Sequence, residues 1–176
     1  KIFVADIDRD GHTDVAYGPT QNNQNKGMVY WAKNDGANDP SFSSTNFTLT
    51  NLGSYHTNDI FVTDIDNDGD KDVLKTDNNR LLIYKRGDDA YYLSYLNDEI
   101  LNSPAELFIT DIDNDGDRDI LVATEYSKKI TLFENDGNRS PSWSIKDILS
   151  FSSGDVRDFI VRDVDNDGDK DLVLGF

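Results

Sequence analysis

Four nonapeptides of one pattern constrain this chain more than any other feature: Asp6-Ile-Asp-Arg-Asp-Gly-His-Thr-Asp14, Asp64-Ile-Asp-Asn-Asp-Gly-Asp-Lys-Asp72, Asp111-Ile-Asp-Asn-Asp-Gly-Asp-Arg-Asp119 and Asp163-Val-Asp-Asn-Asp-Gly-Asp-Lys-Asp171. Carboxylates at positions 1, 3, 5 and 9 of a loop folded tightly around a glycine cannot all stay ionised at close range without a hard cation among them. The four loops hold 19 of the 34 acids and only four bases, Arg9, Lys71, Arg118 and Lys170. Nearly all of the formal charge of −17 therefore resides in the loops. Four divalent ions would bring it to about −9, so the acidity reads as ligand charge. No basic face is left to neutralise phosphates, which argues against nucleic acid as a partner.

The loops begin at intervals of 58, 47 and 52 residues, a period that signals a repeat architecture. Short apolar runs lead into them: Ile2 to Ala5, Ile60 to Thr63, Leu107 to Thr110 and Phe159 to Arg162. These read as strands packed on both faces. Second β-prone runs follow each loop, at Val15 to Gly18, Val73 to Thr76, Ile120 to Thr124 and Leu172 to Gly175. Third strands are predicted at Met28 to Lys33, Leu81 to Lys85 and Lys129 to Glu134, with hairpin signals at Asn34-Asp-Gly36 and Asn135-Asp-Gly137. Fourth strands are predicted at Phe47 to Leu52, Tyr91 to Leu96 and Trp143 to Leu149. No apolar period of 3.6 persists over three turns, so helix should be minimal.

The expected fold class is all-β, built from four-stranded antiparallel blades of a β-propeller. Blade 1 is expected over about 1–58, blade 2 over 59–105, blade 3 over 106–157 and a partial blade 4 over 158–176. About three and a half blades cannot close a ring, so the chain reads as a segment of a larger propeller, or as one completed by a second chain. Lys1 to Ala5 reads as a strand already under way, and the natural start is expected upstream. No apolar run approaches the roughly 20 residues that cross a bilayer. Cysteine is absent, so no disulfide contributes.

Calcium takes six to eight oxygens in flexible geometry, and one such loop supplies them. The candidate ligands are Asp6, Asp8, Asp10, His12 and Asp14; Asp64, Asp66, Asp68, Asp70 and Asp72; Asp111, Asp113, Asp115, Asp117 and Asp119; and Asp163, Asp165, Asp167, Asp169 and Asp171. Position 7 offers its backbone carbonyl, so His12 stands where the other loops have aspartate without harm. Glycine at position 6 permits the positive φ that folds the loop, and asparagine at position 4 tolerates a similar conformation. Arg9 shares that ease less, and the first site is expected to bind more weakly. An EF-hand would need glutamate at position 12 and flanking helices. Position 12 is instead Tyr17, Lys75, Val122 and Leu174, in β-prone surroundings. Magnesium is disfavoured because a four-carboxylate cage strips more water than that ion readily yields.

An apolar strand, Asp-x-Asp-x-Asp-Gly-x-x-Asp and a further apolar strand resemble the FG-GAP and VCBS-type repeats over essentially the whole chain. Tyr30-Trp-Ala-Lys-Asn-Asp-Gly36 and Leu132-Phe-Glu-Asn-Asp-Gly137 resemble that repeat's third strand and turn. The resemblance implies a calcium-bearing propeller, commonly seven-bladed, in secreted or cell-surface proteins, with ligands at positions 1, 3, 5, 7 and 9. Phe-Gly and Gly-Ala-Pro signatures are missing, which points to the VCBS-like branch and carries no integrin-like ligand specificity.

Catalytic signals are few. The two histidines, His12 and His56, lack zinc spacing, and neither a nucleophile elbow nor a Walker loop occurs. Carboxylates committed to calcium are held as anions, the opposite of what a glycosidase acid requires. Surface candidates for sugar contact are the amide-rich Gly18 to Gly27 loop and the aromatics Tyr30, Trp31, Tyr91, Tyr92, Tyr95 and Trp143, although strand aromatics usually serve the core. The expectation is a non-catalytic extracellular calcium-binding module for adhesion or for protein or glycan binding, with no membrane insertion. An accessory domain of a polysaccharide lyase or hydrolase is the alternative. A subunit that self-associates to complete its ring, in a filament or surface layer, is a second.

Overall fold

A computed structural model describes residues 1–18, 27–47, 57–87, 91–95, 101–152, 156 and 158–175, with the side chains of 44–47 and 95 left aside. The described residues form strands and turns and contain no helix, so none is long and apolar enough to cross a membrane. The first sheet runs β1 (Ile2–Ala5), β2 (Asp14–Tyr17), β3 (Val29–Asn34), β4 (Phe42–Phe47). The second runs β5 (Asp59–Thr63), β6 (Asp72–Thr76), β7 (Leu81–Arg86), β8 (Tyr91–Tyr95). The third comprises β9 (Pro104–Thr110), β10 (Asp119–Thr124), β11 (Lys129–Asn135) and β12 (Trp143–Ser150), and the fourth β13 (Asp158–Arg162) with β14 (Asp171–Gly175). Each is an antiparallel meander whose strands neighbour in sequence order, as in a propeller blade, and the sheets do not close into a ring.

One register recurs in all four blades. Ala5 pairs with Asp14, Thr63 with Asp72, Thr110 with Asp119 and Arg162 with Asp171. The residue before each acidic loop thus faces the loop's ninth residue across the ladder.

Three cores lie between blades rather than within one centre. Ile7, Ala16, Val29, Ile60, Val62, Val73, Leu82 and Tyr84 join blades 1 and 2. Ile65, Leu74, Ile83, Leu107, Ile109, Ile120, Val122 and Phe133 join blades 2 and 3. Leu121, Ala123, Ile130, Leu132, Phe159 and Val161 join blades 3 and 4. Side chains alternate along a strand, so Leu74 faces blade 3 while Val73 faces blade 1. Full burial of each such aliphatic group contributes roughly 1.5–3 kcal/mol. Aromatic pairs reinforce the seams: Phe3 meets Phe61 at 4.5 Å between centroids and Phe108 meets Phe159 at 5.9 Å.

Polar bonds cross the seams as well. Lys75, 1% exposed, donates from Nζ to the Gly27 carbonyl at 2.8 Å, and burial lowers its ammonium to about 8 against the opposing field of Asp77. Asn58 Nδ2 donates to the Pro104 carbonyl at 2.8 Å, and Asp59 Oδ2 accepts the Leu107 N–H at 2.9 Å.

Two expectations need correction. Packing on both faces holds for β5, where four of five residues are buried, but β13 buries alternate residues only and β1 half-buries them. Ile2, Val4 and Ile160 stand exposed, with no blade among the described residues against those faces. The fourth strand of blade 1 starts at Phe42, five residues before the expected Phe47, and is described as far as Phe47. The Asp35 N–H donates to the Ser41 carbonyl, and the Asp35 carboxylate accepts the N–H groups of Ala37 and Ser41 and the Ser41 hydroxyl. That closed turn lets pairing resume at once. Residues 48–52, His56 and most of the Gly18 to Gly27 loop lie outside the described residues.

Candidate metal centres

Each acidic loop curls around its first aspartate. Asp6 Oδ1 accepts the Asp10 N–H at 3.1 Å and Oδ2 the Gly11 N–H at 2.9 Å. Asp111 accepts from Asp115 at 3.1 Å and Gly116 at 3.0 Å, Asp64 from Gly69 at 2.9 Å, and Asp163 from Gly168 at 3.0 Å. The fifth residue then accepts the N–H of the seventh, at 2.9 Å for Asp10 with His12 and 2.8 Å for Asp68 with Asp70. Position 6 requires glycine, at φ from 89° for Gly11 to 100° for Gly116 and Gly168. Position 4 is left-handed in every loop, including Arg9 at φ 63°, where asparagine occupies the other three.

This curl brings carboxylates together. Asp6, Asp8 and Asp10 present oxygens within 4.8 Å of one another; so do Asp64, Asp66 and Asp72, then Asp111, Asp113 and Asp115, and finally Asp163, Asp165 and Asp171. Asp68 and Asp167 lie in the same turns outside these triplets. No histidine joins any triplet among the described residues.

The ninth aspartate has a second job that sequence reasoning missed. Asp14 accepts the Ile7 N–H at 3.1 Å and the Asn34 N–H at 2.8 Å; Asp72 accepts Ile65 at 3.1 Å and Arg86 at 2.8 Å. Asp119 does the same for Ile112 and Asn135, both at 2.9 Å. Each carboxylate therefore clamps its loop to the end of the blade's third strand. Burial pushes the Asp72 carboxyl up to about 7, the N–H groups of Arg86 and Ile65 oppose this, and the fields of Asp66 and Asp68 add to it. A divalent ion at the loop would reverse the balance.

The seventh residues turn toward neighbours. Asp70 lies 3.8 Å from Arg9 Nη1 of the preceding loop, and Asp117 Oδ1 accepts from Asn67 Nδ2 at 2.7 Å. Position 4 of one loop thus touches position 7 of the next. His12 and Asp117 also lie against Gly36 and Gly137, where a Cβ would fall 2.2 Å from His12 Nε2 and 1.9 Å from Asp117 Oδ2. The Asp169 N–H donates to Asp167 Oδ1 at 2.9 Å. Further staples run from the third strand to the preceding loop: Arg86 Nη1 donates to the Ile7 carbonyl at 3.0 Å and Asn135 Nδ2 to the Ile65 carbonyl at 3.1 Å.

Two lysines complete the picture. Lys33 of β3 reaches Asp8 and, at 2.8 Å, Asp10, whose carboxyl it holds below the usual range. Lys85 of β7 lies 3.1 Å from Asp66. They share a place, one residue before the clamped Asn34 and Arg86, that only the structure makes visible.

The residues present fit a divalent cation. Asp8 Oδ1 and Asp64 Oδ1 are buried without a hydrogen-bond partner, a costly state for a carboxylate oxygen that a cation would relieve. Three converging carboxylates and no nitrogen or sulfur donor match a hard ion.

Consecutive antiparallel blades, each with an acidic turn between its first and second strands, define a propeller-like repeat module. The FG-GAP-like repeat profile matches residues 6–74 and 111–174, each match running from one acidic loop past the next, and the chain belongs to that family. No curated protein sequence matches the chain.

Proposed function

We propose that this chain is a non-catalytic, extracellular calcium-binding propeller module that presents its loops to a protein or glycan partner. The observation that carries this reading is the fourfold carboxylate triplet on a fixed turn, with buried orphan oxygens in loops 1 and 2. Calcium suits the oxygen-only donor set, and affinities of about 0.1–1 mM are usual for modules working outside cells. Secretion or surface display, where calcium at that level is available, is part of the proposal. The ion's chemistry here is to neutralise and rigidify the loops, while Asp14, Asp72 and Asp119 hold them to the blades. Trp31, Tyr91 and Trp143 pack against the inter-blade cores, leaving Tyr92, 61% exposed, as a strand aromatic open to a partner. A glycan array probed at 2 mM calcium and again with chelator tests the proposal. Retention lost on chelation is expected, without release of reducing ends from bound polysaccharide; turnover would favour the polysaccharide-lyase or hydrolase alternative instead.

A second reading, association of copies end to end, is favoured by the bare faces of the outer blades. Ile2 and Val4, 71% and 59% exposed, occupy the places that Ile60 and Val62 bury against the preceding blade. Ile160 and Val173, 44% and 42% exposed, face the opposite way. Blade 4 of one copy against blade 1 of another would repeat the internal stacking, a head-to-tail contact. Light scattering after size exclusion should show concentration-dependent oligomers that Val4→Lys disperses; a monomer at all concentrations rejects this reading.

A further inference from the structure

We infer that Lys33 and Lys85 are tethered counter-ions that compete with the divalent cation, setting loops 1 and 2 apart from loop 3. The inference rests on the metal reading above and adds to it. Lys33 contacts two carboxylates of loop 1, Asp8 and Asp10, and Lys85 contacts Asp66 of loop 2. Both ammonium groups lie against triplet members, where the divalent ion would bind. Like charges cannot share that space, so each binding event must displace the lysine and its ion pairs. The side chains have somewhere to go, being 37% and 22% exposed.

Blade 3 lacks the device. The clamp bond from Asn135 to Asp119 matches those from Asn34 to Asp14 and from Arg86 to Asp72, which puts Glu134 where Lys33 and Lys85 stand. Lys146 of β12 is itself paired with Glu134. Among the described residues no ion pair reaches the carboxylates of loops 3 and 4. Loop 3 therefore fills before loop 2, and loop 1 fills last. The cause is separate from the backbone of Arg9, because it extends to loop 2, whose fourth residue is asparagine.

Calcium titration calorimetry on the whole chain tests this, read beside melting in chelator. Wild type should show at least two affinity classes. Lys33→Met should tighten one weak site roughly tenfold, the worth of about one or two exposed ion pairs. The same variant should melt lower than wild type in chelator, because Asp8 and Asp10 lose their internal cation. Lys85→Met should act similarly but less, and Glu134→Lys should weaken one strong site. Four equivalent sites in wild type, or affinities unmoved by all three variants, overturn the competition and leave the metal reading standing. No calcium binding in any protein overturns both.

Discussion

Adding 2 mM calcium to chelated protein should raise its melting temperature by on the order of 10–20 °C. An ion that binds only the folded state stabilises it by about 1.4 kcal/mol per site at ten times its dissociation constant. Three or four filled loops then contribute roughly 4–6 kcal/mol, and each kcal/mol moves the midpoint of a domain this size by about 2–4 °C. The loops lie between first and second strands of every blade, beside all three seams, so the gain reaches the whole array. Magnesium at equal concentration should do much less, since it yields its water reluctantly. Calorimetric scans that coincide with and without calcium would end the structural role assigned to the ion.

Asp72→Ala should destabilise the chain by about 2–4 kcal/mol, and most of that loss should persist in chelator. Removing the carboxylate strips acceptors from the N–H groups of Ile65 and Arg86, at 3.1 and 2.8 Å, where Ile65 is 1% exposed. A buried donor left unpaired costs its full desolvation. Asp66→Ala removes a triplet member that accepts one backbone N–H, from Asp68 at 3.3 Å, and should act mainly through calcium affinity. Urea melts of both variants, each with calcium and with chelator, separate the roles. If Asp72→Ala matches wild type once calcium is removed, the clamp carries no weight and position 9 serves the ion alone.

The blades were legible because their signals are local. Apolar pairs such as Phe61-Val62 and Val73-Leu74 mark strands by residue type, and the glycine of each loop fixes a turn that only φ near 90–100° can make. The spacing also pointed to gathered carboxylates, of which the structure brings three per loop within reach of one another. What stayed hidden depends on register and on neighbours. The clamp of Asp119 on Asn135 spans a hairpin whose pairing sequence spacing does not state. Lys33 looks like an ordinary strand-end cation until β3 is placed beside loop 1. The displaced β4 shows the same gap at short range: Asp35 closes the turn with its side chain, and a hydropathy pattern is blind to that bond.

The staples from Arg86 to the Ile7 carbonyl and from Asn135 to the Ile65 carbonyl have a bearing on how such arrays can be cut and rejoined. A transplanted sheet severed between β4 and β5 would part the donor from its acceptor, leaving Ile7 without Arg86 at one join. The two staples overlap in sequence, from Ile7 to Arg86 and from Ile65 to Asn135, so any cut between Ile7 and Asn135 parts at least one donor from its acceptor. The first three blades are thus laced in relay, and none of them can be exchanged alone without breaking a staple.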